Sequence, residues 1–317
     1  MKIEKLTIAK YVFEITLIIV LSFIYYLNQT IKTPKVLYIQ EGSINKIISQ
    51  MQANKYDVSK LDSILLRFIG SPQSGWIDMS SSVNTKADFL YKLTTAKAPL
   101  QSITLIPGET TYIFLRELAT ELNLDIKKLT NAFKKQTNIS EGAFIPDTYH
   151  VPIGITEKRL ISMLLKVANK KMKQLSIKIF GLYNEKKWFH YVAIASIIQK
   201  ESANIKEMPL VSSVIFNRIK KGMKLQMDGT LNYGKYSHQK ITSKRIKTDK
   251  SLYNTYIYKG VPAIPICNVS FDALRAAIFP AKTNYLYFMK NKQNKHDFTR
   301  YYSTHLQNIR HATKRNK

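Results

Sequence analysis

Between Tyr11 and Leu27 the sequence reads YVFEITLIIVLSFIYYL, with Glu14 as its one charge. A backbone in hydrocarbon must satisfy its own hydrogen bonds, so a run of this kind is read as a single helix. A bilayer needs about 20 mostly apolar residues, which puts this run at the short end of the range. Glu14 lies near the N-terminal end, within reach of the interface, and Tyr25 and Tyr26 close the far end, where aromatic residues favour the membrane–water boundary. Lys2, Lys5 and Lys10 come before the run and Lys32 and Lys35 after it, a slight asymmetry that argues for a cytoplasmic N-terminus. The expectation is a tail over 1–10 and a single-pass anchor over 11–28. A cleaved signal peptide is the alternative, although no small-x-small site follows the apolar run. No other run is apolar and long enough to span.

The 317 residues allow two or three compact domains, and 45% apolar with 22% charged residues is ordinary for a globular chain. The charge balance is unusual: Lys+Arg 49 against Asp+Glu 21 gives a formal +28. Nucleic acid, anionic lipid and acidic wall polymer would each suit such a charge, as would lysine-rich faces that simply meet water. The basic residues are spread along the chain rather than gathered into the patch or stripe of a nucleic-acid footprint, so no nucleic-acid partner is expected. The one cysteine, Cys267, cannot form an intramolecular disulfide and reads as a small buried hydrophobe. The six histidines show no ligand spacing, so no metal and no cofactor is expected.

Past the apolar run, Val36–Ile39 suggests a strand, and Ser43 is placed to cap a helix bearing Ile44, Ile47, Ile48 and Met51. The pattern recurs at Ile103–Ile106, where Pro107–Thr110 leads into a helix with Leu115, Leu118 and Leu122. The stretch EGAFIPDTYHVP, Glu141 to Pro152, reads as a turn-rich connector, and helical periodicity returns from Thr156 to Leu175.

The chemistry concentrates further on. Ile194, Ile197, Ile198 and Glu201 share the i, i+3, i+4, i+7 face of one helix. A carboxyl on a buried stripe is costly when ionised, so desolvation raises its pKa; a helix ending near Ser202 would push the same way through its negative C-terminal end. A carboxyl still protonated near neutral pH can act as a general acid. A solvent-facing glutamate beside Lys200 is the other reading of the same spacing. The next helix has Pro209 at its start, an apolar stripe of Leu210, Val211, Val214, Ile215 and Ile219, and Gly222 as its stop; Asn217 and Arg218 are polar groups at its end. Asp228–Gly229 then predicts a two-residue hairpin turn that gathers Gln226, Asp228, Thr230 and Tyr233. Tyr253, Tyr256 and Tyr258 alternate with Asn254 and Thr255, a mixture that suits sugar rings and their hydroxyls, single-stranded nucleic acid, or a loop-rich core.

From Ala195 to His305 the sequence resembles the endolytic murein transglycosylases of the YceG-like (MltG) family. The blocks carrying the resemblance are IIQKES with Glu201, PLVSSVIFNRIKKGMKLQMDGTLNYG, SLYNTYIYKGVPAIPICNVS, ALRAAIFPAKTNYLYFMKN and the H-x-F of His296–Phe298. EGAFIPDTYHVP resembles the block that precedes the family's catalytic domain. Gly229 stands where the family usually has Pro, Leu252 where it usually has Pro, and Ile264 where it commonly has Gly; none of these departures removes an ionisable group.

The resemblance implies an α+β chain: one transmembrane helix, a LysM-like module over 35–105, a second LysM-like segment and connector over 106–185, and a lysozyme-like, YceG-like catalytic domain over 186–317. It implies lytic cleavage of the β-1,4 bond between N-acetylmuramic acid and N-acetylglucosamine, with 1,6-anhydro ends as product and Glu201 serving as acid and then base. Asn217, Gln226, Asp228, Thr230, Tyr233, Tyr253, Asn254, Thr255 and Tyr256 are the expected substrate-binding residues. The implied partners are peptidoglycan glycan strands, the inner membrane with the catalytic domain on its periplasmic, extracytoplasmic side, and peptidoglycan synthases. The competing readings are a wall-binding protein without catalysis, a basic nucleic-acid binder, and a hydrolytic muramidase, which would need a second carboxylate such as Asp228 or Glu207.

Overall fold

The computed structural model describes residues 2–313, with side chains over 7–311. Met1 and the side chains of Lys2 and Lys5, on which the tail reading partly rests, lie outside the described residues. The chain is of mixed helix and strand and divides into two compact units, residues 1–102 with 150–155, and residues 103–149 with 156–317.

The first unit begins with helix α1, Lys2–Asn28. Its Thr7–Asn28 stretch has a mean hydropathy of 1.9 with none of it buried, and is long and apolar enough to cross a membrane. Glu14 is paired with Lys10 one turn earlier at 3.8 Å. Two short antiparallel pairs follow. β1 (Thr30–Lys32) pairs with β4 (Val83–Thr85), and β2 (Val36–Ile39) with β3 (Gly75–Asp78), in the register Leu37↔Ile77. Helices α2 (Ile44–Ala53) and α3 (Lys60–Ile69) lie between β2 and β3 in sequence, and α4 (Lys86–Thr95) follows β4.

The helix starts follow from their capping residues. Ser43 accepts the Lys46 amide, Thr85 accepts that of Asp88, and Ser59 with Asp62 forms a reciprocal capping box. Ile39, Ile47, Ile48, Met51, Leu66, Ile77, Phe89 and Leu93 close the core, each apolar side chain contributing about 1.5–3 kcal/mol on full burial. Tyr26 is bound into this unit: its hydroxyl lies 2.8 Å from Asp62 Oδ1 and accepts from Lys86 Nζ at 2.9 Å.

Two paired strands, β5 (Leu100–Thr104) and β6 (Thr148–Pro152), carry the chain between the units. The stretch read as a connector thus ends in a strand, in which buried Tyr149 and Val151 alternate with exposed Thr148 and His150. The second unit holds α5 (Thr111–Glu121), α6 (Ile126–Gln136), α7 (Glu157–Phe180), α8 (Glu185–Glu201), α9 (Met208–Lys220), α10 (Ser243–Thr248) and α11 (Phe271–Ile278). It ends in the hairpin of β7 (Tyr287–Lys290) and β8 (His296–Thr299), followed by α12 (Tyr302–Thr313).

Helix α8 is the axis of this unit. Trp188, Val192, Ile194, Ala195, Ile197 and Ile198 are all buried, and α9 and α11 pack against it. Ser196 accepts the Ile266 amide and Gln199 accepts from the amide and hydroxyl of Ser270, the cap of α11. In α9 the expected stripe is narrower than the sequence implies: Val211, Val214 and Ile215 are buried, but Ile219 is 40% exposed in the last turn. Cys267 is fully buried, and desolvation pushes its thiol far up.

Candidate active site

Glu201 is the last residue of α8, with Ser202 as the C-cap. Ile194, Ile197 and Ile198 of the same face have almost no exposure, so the stripe reading holds up to the last turn. Glu201 itself is part-exposed. Its carboxyl nevertheless sits among enough protein that its pKa is raised from 4.5 to about 7. Desolvation is the main cause. The Gly229 amide opposes it, the charge of Asp228 adds to the rise, and the Arg218 guanidinium opposes it.

The Gly229 N–H donates to Glu201 Oε1 at 2.6 Å. Among the described residues the other carboxyl oxygen has no hydrogen-bond partner. The expected hairpin is absent here: Asp228–Leu231 form one turn of 3-10 helix, and the left-handed backbone falls at Gln226 (φ 47°) rather than at Gly229. Glycine is needed at 229 for close approach. A Cβ there would lie 2.8 Å from Lys200 Cβ and 2.9 Å from Glu201 Oε1. A proline at this position would have no N–H to give.

Arg218, read from sequence as a plain helix-end cation, is buried with its guanidinium donating to the Leu286 and Leu225 carbonyls and lying 5.3 Å from the Tyr287 ring centroid. It is a fixed positive charge within electrostatic reach of Glu201. Asp228 is exposed and accepts the Tyr256 hydroxyl at 2.6 Å, which couples two of the expected binding residues to the rim of the Glu201 site.

The remaining expected site residues divide by what their side chains touch. Tyr233 and Tyr253 stack with ring centroids 4.4 Å apart at 15°, and the Tyr233 hydroxyl donates to Asp249 at 3.1 Å. Gln226 is exposed beside the turn. Four others are turned inward. Asn254 is fully buried, donates to the Ile246 and Asp249 carbonyls and accepts the Tyr256 amide. Thr230 and Thr255 are buried, share a 3.1 Å hydroxyl contact, and bind the Met227 carbonyl and amide respectively. Asn217 donates to the Thr283 and Tyr285 carbonyls. These four hold the loops in place through bonds to the protein itself.

Glu141 is a buried carboxyl that the motif reading passed over. It accepts from the Thr111 amide and hydroxyl and from the Gly142 amide, and burial raises its pKa to about 7. Asn268 adds a weaker contact at 3.4 Å and also accepts the Phe144 amide, so one polar cluster ties residues 109–111, 141–144 and 268 together. Glu207, one of the alternative second carboxylates, is held by His296 Nδ1 at 2.7 Å and by the His296 amide, well away from a free role.

The sequence profile of the YceG-like family matches residues 37–311. This chain belongs to the YceG-like family. A YceG-like protein of known structure from Listeria monocytogenes superposes with a TM-score of 0.55, covering 87% of this chain and 99% of that one at 22% identity, which speaks for the fold alone. A stretch of 115 residues is 35% identical to the endolytic murein transglycosylase of Bacillus subtilis (strain 168), covering 36% of this chain. Another of 157 residues is 29% identical to the endolytic murein transglycosylase of Streptococcus pneumoniae serotype 2, covering 47% of this chain. These matches span 32% and 28% of the two relatives' own lengths.

Proposed function

We propose that this protein is an endolytic lytic transglycosylase that cuts the β-1,4 bond between N-acetylmuramic acid and N-acetylglucosamine in peptidoglycan strands. The observation that carries the reading is Glu201, one carboxyl with a pKa near 7 at the open end of an apolar helix. The names of the two relatives point to the same substrate. Protonated Glu201 gives its proton to the glycosidic oxygen as the C1–O bond breaks. The carboxylate left behind takes the proton of the muramyl C6 hydroxyl as that oxygen bonds to C1. The proton count closes with no water consumed, and the sugar ends as a 1,6-anhydro ring. One group can serve both steps because its pKa lies near the working pH. The Gly229 amide fixes one oxygen, and Arg218 favours the carboxylate formed between the steps. A hydrolytic muramidase is the second reading, favoured by Asp228, an exposed carboxylate whose charge already acts on Glu201.

In this account α1 anchors the chain in the inner membrane, with the rest on the extracytoplasmic side. The LysM-like module over 35–105, which includes the strands and helices of Val36–Asp78, serves as the wall-binding part. Termination of new strands beside peptidoglycan synthases would follow from such a placement. Release of soluble fragments from purified peptidoglycan by the detergent-solubilised protein tests the reading; intact walls after prolonged incubation would refute it.

Two outcomes follow from the site. The first step needs protonated Glu201, so kcat/KM should be flat below about pH 7 and fall about tenfold per pH unit above it, as initial rates across a pH series would show. Gly229→Ala keeps the N–H but forces the 228–231 turn off Lys200 and Glu201. Its kcat/KM should drop by about tenfold or more, since small displacements at a reacting group are felt strongly.

A further inference from the structure

A cavity of about 360 Å³ lies within the second unit, walled by α5, α6 and the stacked rings of Tyr233 and Tyr253. Its two tyrosines belong to the segments that build the Glu201 site: Tyr233 follows the Asp228–Leu231 turn, and Tyr253 precedes Tyr256, which binds Asp228. Whatever fills the cavity is therefore held by the same loops that border Glu201. The walls are largely apolar and aromatic, with Leu115 and Phe133 buried behind them.

Two cations stand at this cavity, Arg116 on α5 and Lys134 on α6. Both are exposed, and neither forms an ion pair among the described residues. Arg116 makes a long contact, 3.4 Å, to the Tyr112 hydroxyl and lies 5.8 Å from the centroid of that ring, neither of which neutralises its charge. The carboxyl in the wall, Glu141, is turned to Thr111 and Gly142 and does not neutralise them.

In a peptide-bearing strand each muramyl lactyl carboxyl is tied up as an amide, so the sugars themselves carry no charge. The regular anionic groups of a peptidoglycan strand are the carboxylates of the stem peptides that branch from the muramyl lactyl groups. Two uncompensated cations beside an apolar, aromatic-walled cavity suit such a branch better than a sugar ring: guanidinium and ammonium groups meet carboxylates, and tyrosine faces support planar amides and small apolar side chains.

We propose that this cavity is a stem-peptide subsite, in which Arg116 and Lys134 receive peptide carboxylates while the Tyr233–Tyr253 pair supports the peptide backbone. The inference rests on the proposed peptidoglycan reading and adds a requirement to it, that the enzyme prefers strands whose peptides have not been removed.

The test is calorimetric titration of the full chain in detergent, carrying Glu201→Gln to stop turnover, with a peptidoglycan tetrasaccharide bearing stem peptides and with the same tetrasaccharide stripped of them, its freed lactyl carboxyls capped as neutral amides. The peptide-bearing ligand should bind about tenfold tighter or better, and raising the salt should reduce the difference. Arg116→Gln with Lys134→Gln should bring the ratio below about twofold. Lys166→Gln with Lys178→Gln on α7, removing the same charge elsewhere, should leave it unchanged. Equal affinity for the two ligands, or a preference that survives the Arg116 and Lys134 substitutions, would overturn the proposal. Failure of the catalytic reading shows separately, as wild-type protein that binds the tetrasaccharide and leaves it uncut.

Discussion

Replacing Glu201 by Gln is expected to lower the rate of strand cleavage by about a thousandfold or more while the protein stays folded. Proton transfer by a positioned side chain contributes about 10²–10⁴-fold, and here one group would serve both proton transfers. Gln is nearly isosteric, and its carbonyl can still accept the Gly229 amide. Stability provides an independent control on the same substitution. A carboxyl whose pKa rises from 4.5 to about 7 on folding adds stability that is fully present below pH 4.5 and lost as the pH climbs through 7. Gln cannot ionise, so the variant should be more stable than wild type at pH 8 by about 1–2 kcal/mol. That figure is discounted from about 1.4 kcal/mol per pH unit because the side chain is part-exposed. The gap should close toward pH 4, as chemical denaturation at the two pH values would reveal. A variant that loses activity and also unfolds would instead make Glu201 a structural residue.

The largest effect on folding is expected from Asp62→Ala. Asp62 is 1% exposed and its Oδ2 lies 3.1 Å from Lys86 Nζ, itself almost fully buried. The same carboxylate accepts the Ser59 amide at 2.7 Å in the capping box of α3 and lies 2.8 Å from the Tyr26 hydroxyl. Burial pushes the Lys86 pKa down, but hydrogen bonds to Tyr26 and Asp62 and the charge of Asp62 hold it above the ordinary value. Removing Asp62 leaves a buried ammonium with a phenol as its remaining partner and breaks the helix cap as well. Loss of one partner from a buried pair costs about 3–5 kcal/mol, and a lost cap about 1 kcal/mol. Thermal unfolding of the first unit should therefore move to markedly lower temperature, and Lys86→Met paired with Asp62→Ala should recover much of the loss. The Tyr26 contact also means that the end of α1 should loosen with the unit, which amide exchange over residues 24–32 would record.

How far these features could be read in the sequence depends on whether the signal was local. Helix starts at Ser43 and Thr110, the strand at Val36–Ile39, and the apolar face leading to Glu201 all follow from spacing and capping within a few residues, and each appears as read. Asp228–Gly229 misled because Asp-Gly marks a hairpin only when strands flank it. Here the glycine serves a contact with α8, some 28 residues away in sequence. Asn217, Thr230, Asn254 and Thr255 carry the amides and hydroxyls that suit a sugar, but such groups bind backbone equally well, and composition does not reveal which way a side chain turns. Glu141 was hidden for a related reason: a glutamate in a turn-rich stretch reads as exposed, and only the packing of three distant segments shows it buried.

The most direct test of the account is mass spectrometry of the fragments that the wild-type protein releases from purified peptidoglycan. If Glu201 acts as acid and then as base on the C6 hydroxyl, every new muramyl end is a 1,6-anhydro sugar, lighter by one water than a reducing end. New reducing ends that take up labelled oxygen from oxygen-18 water would contradict the single-residue mechanism.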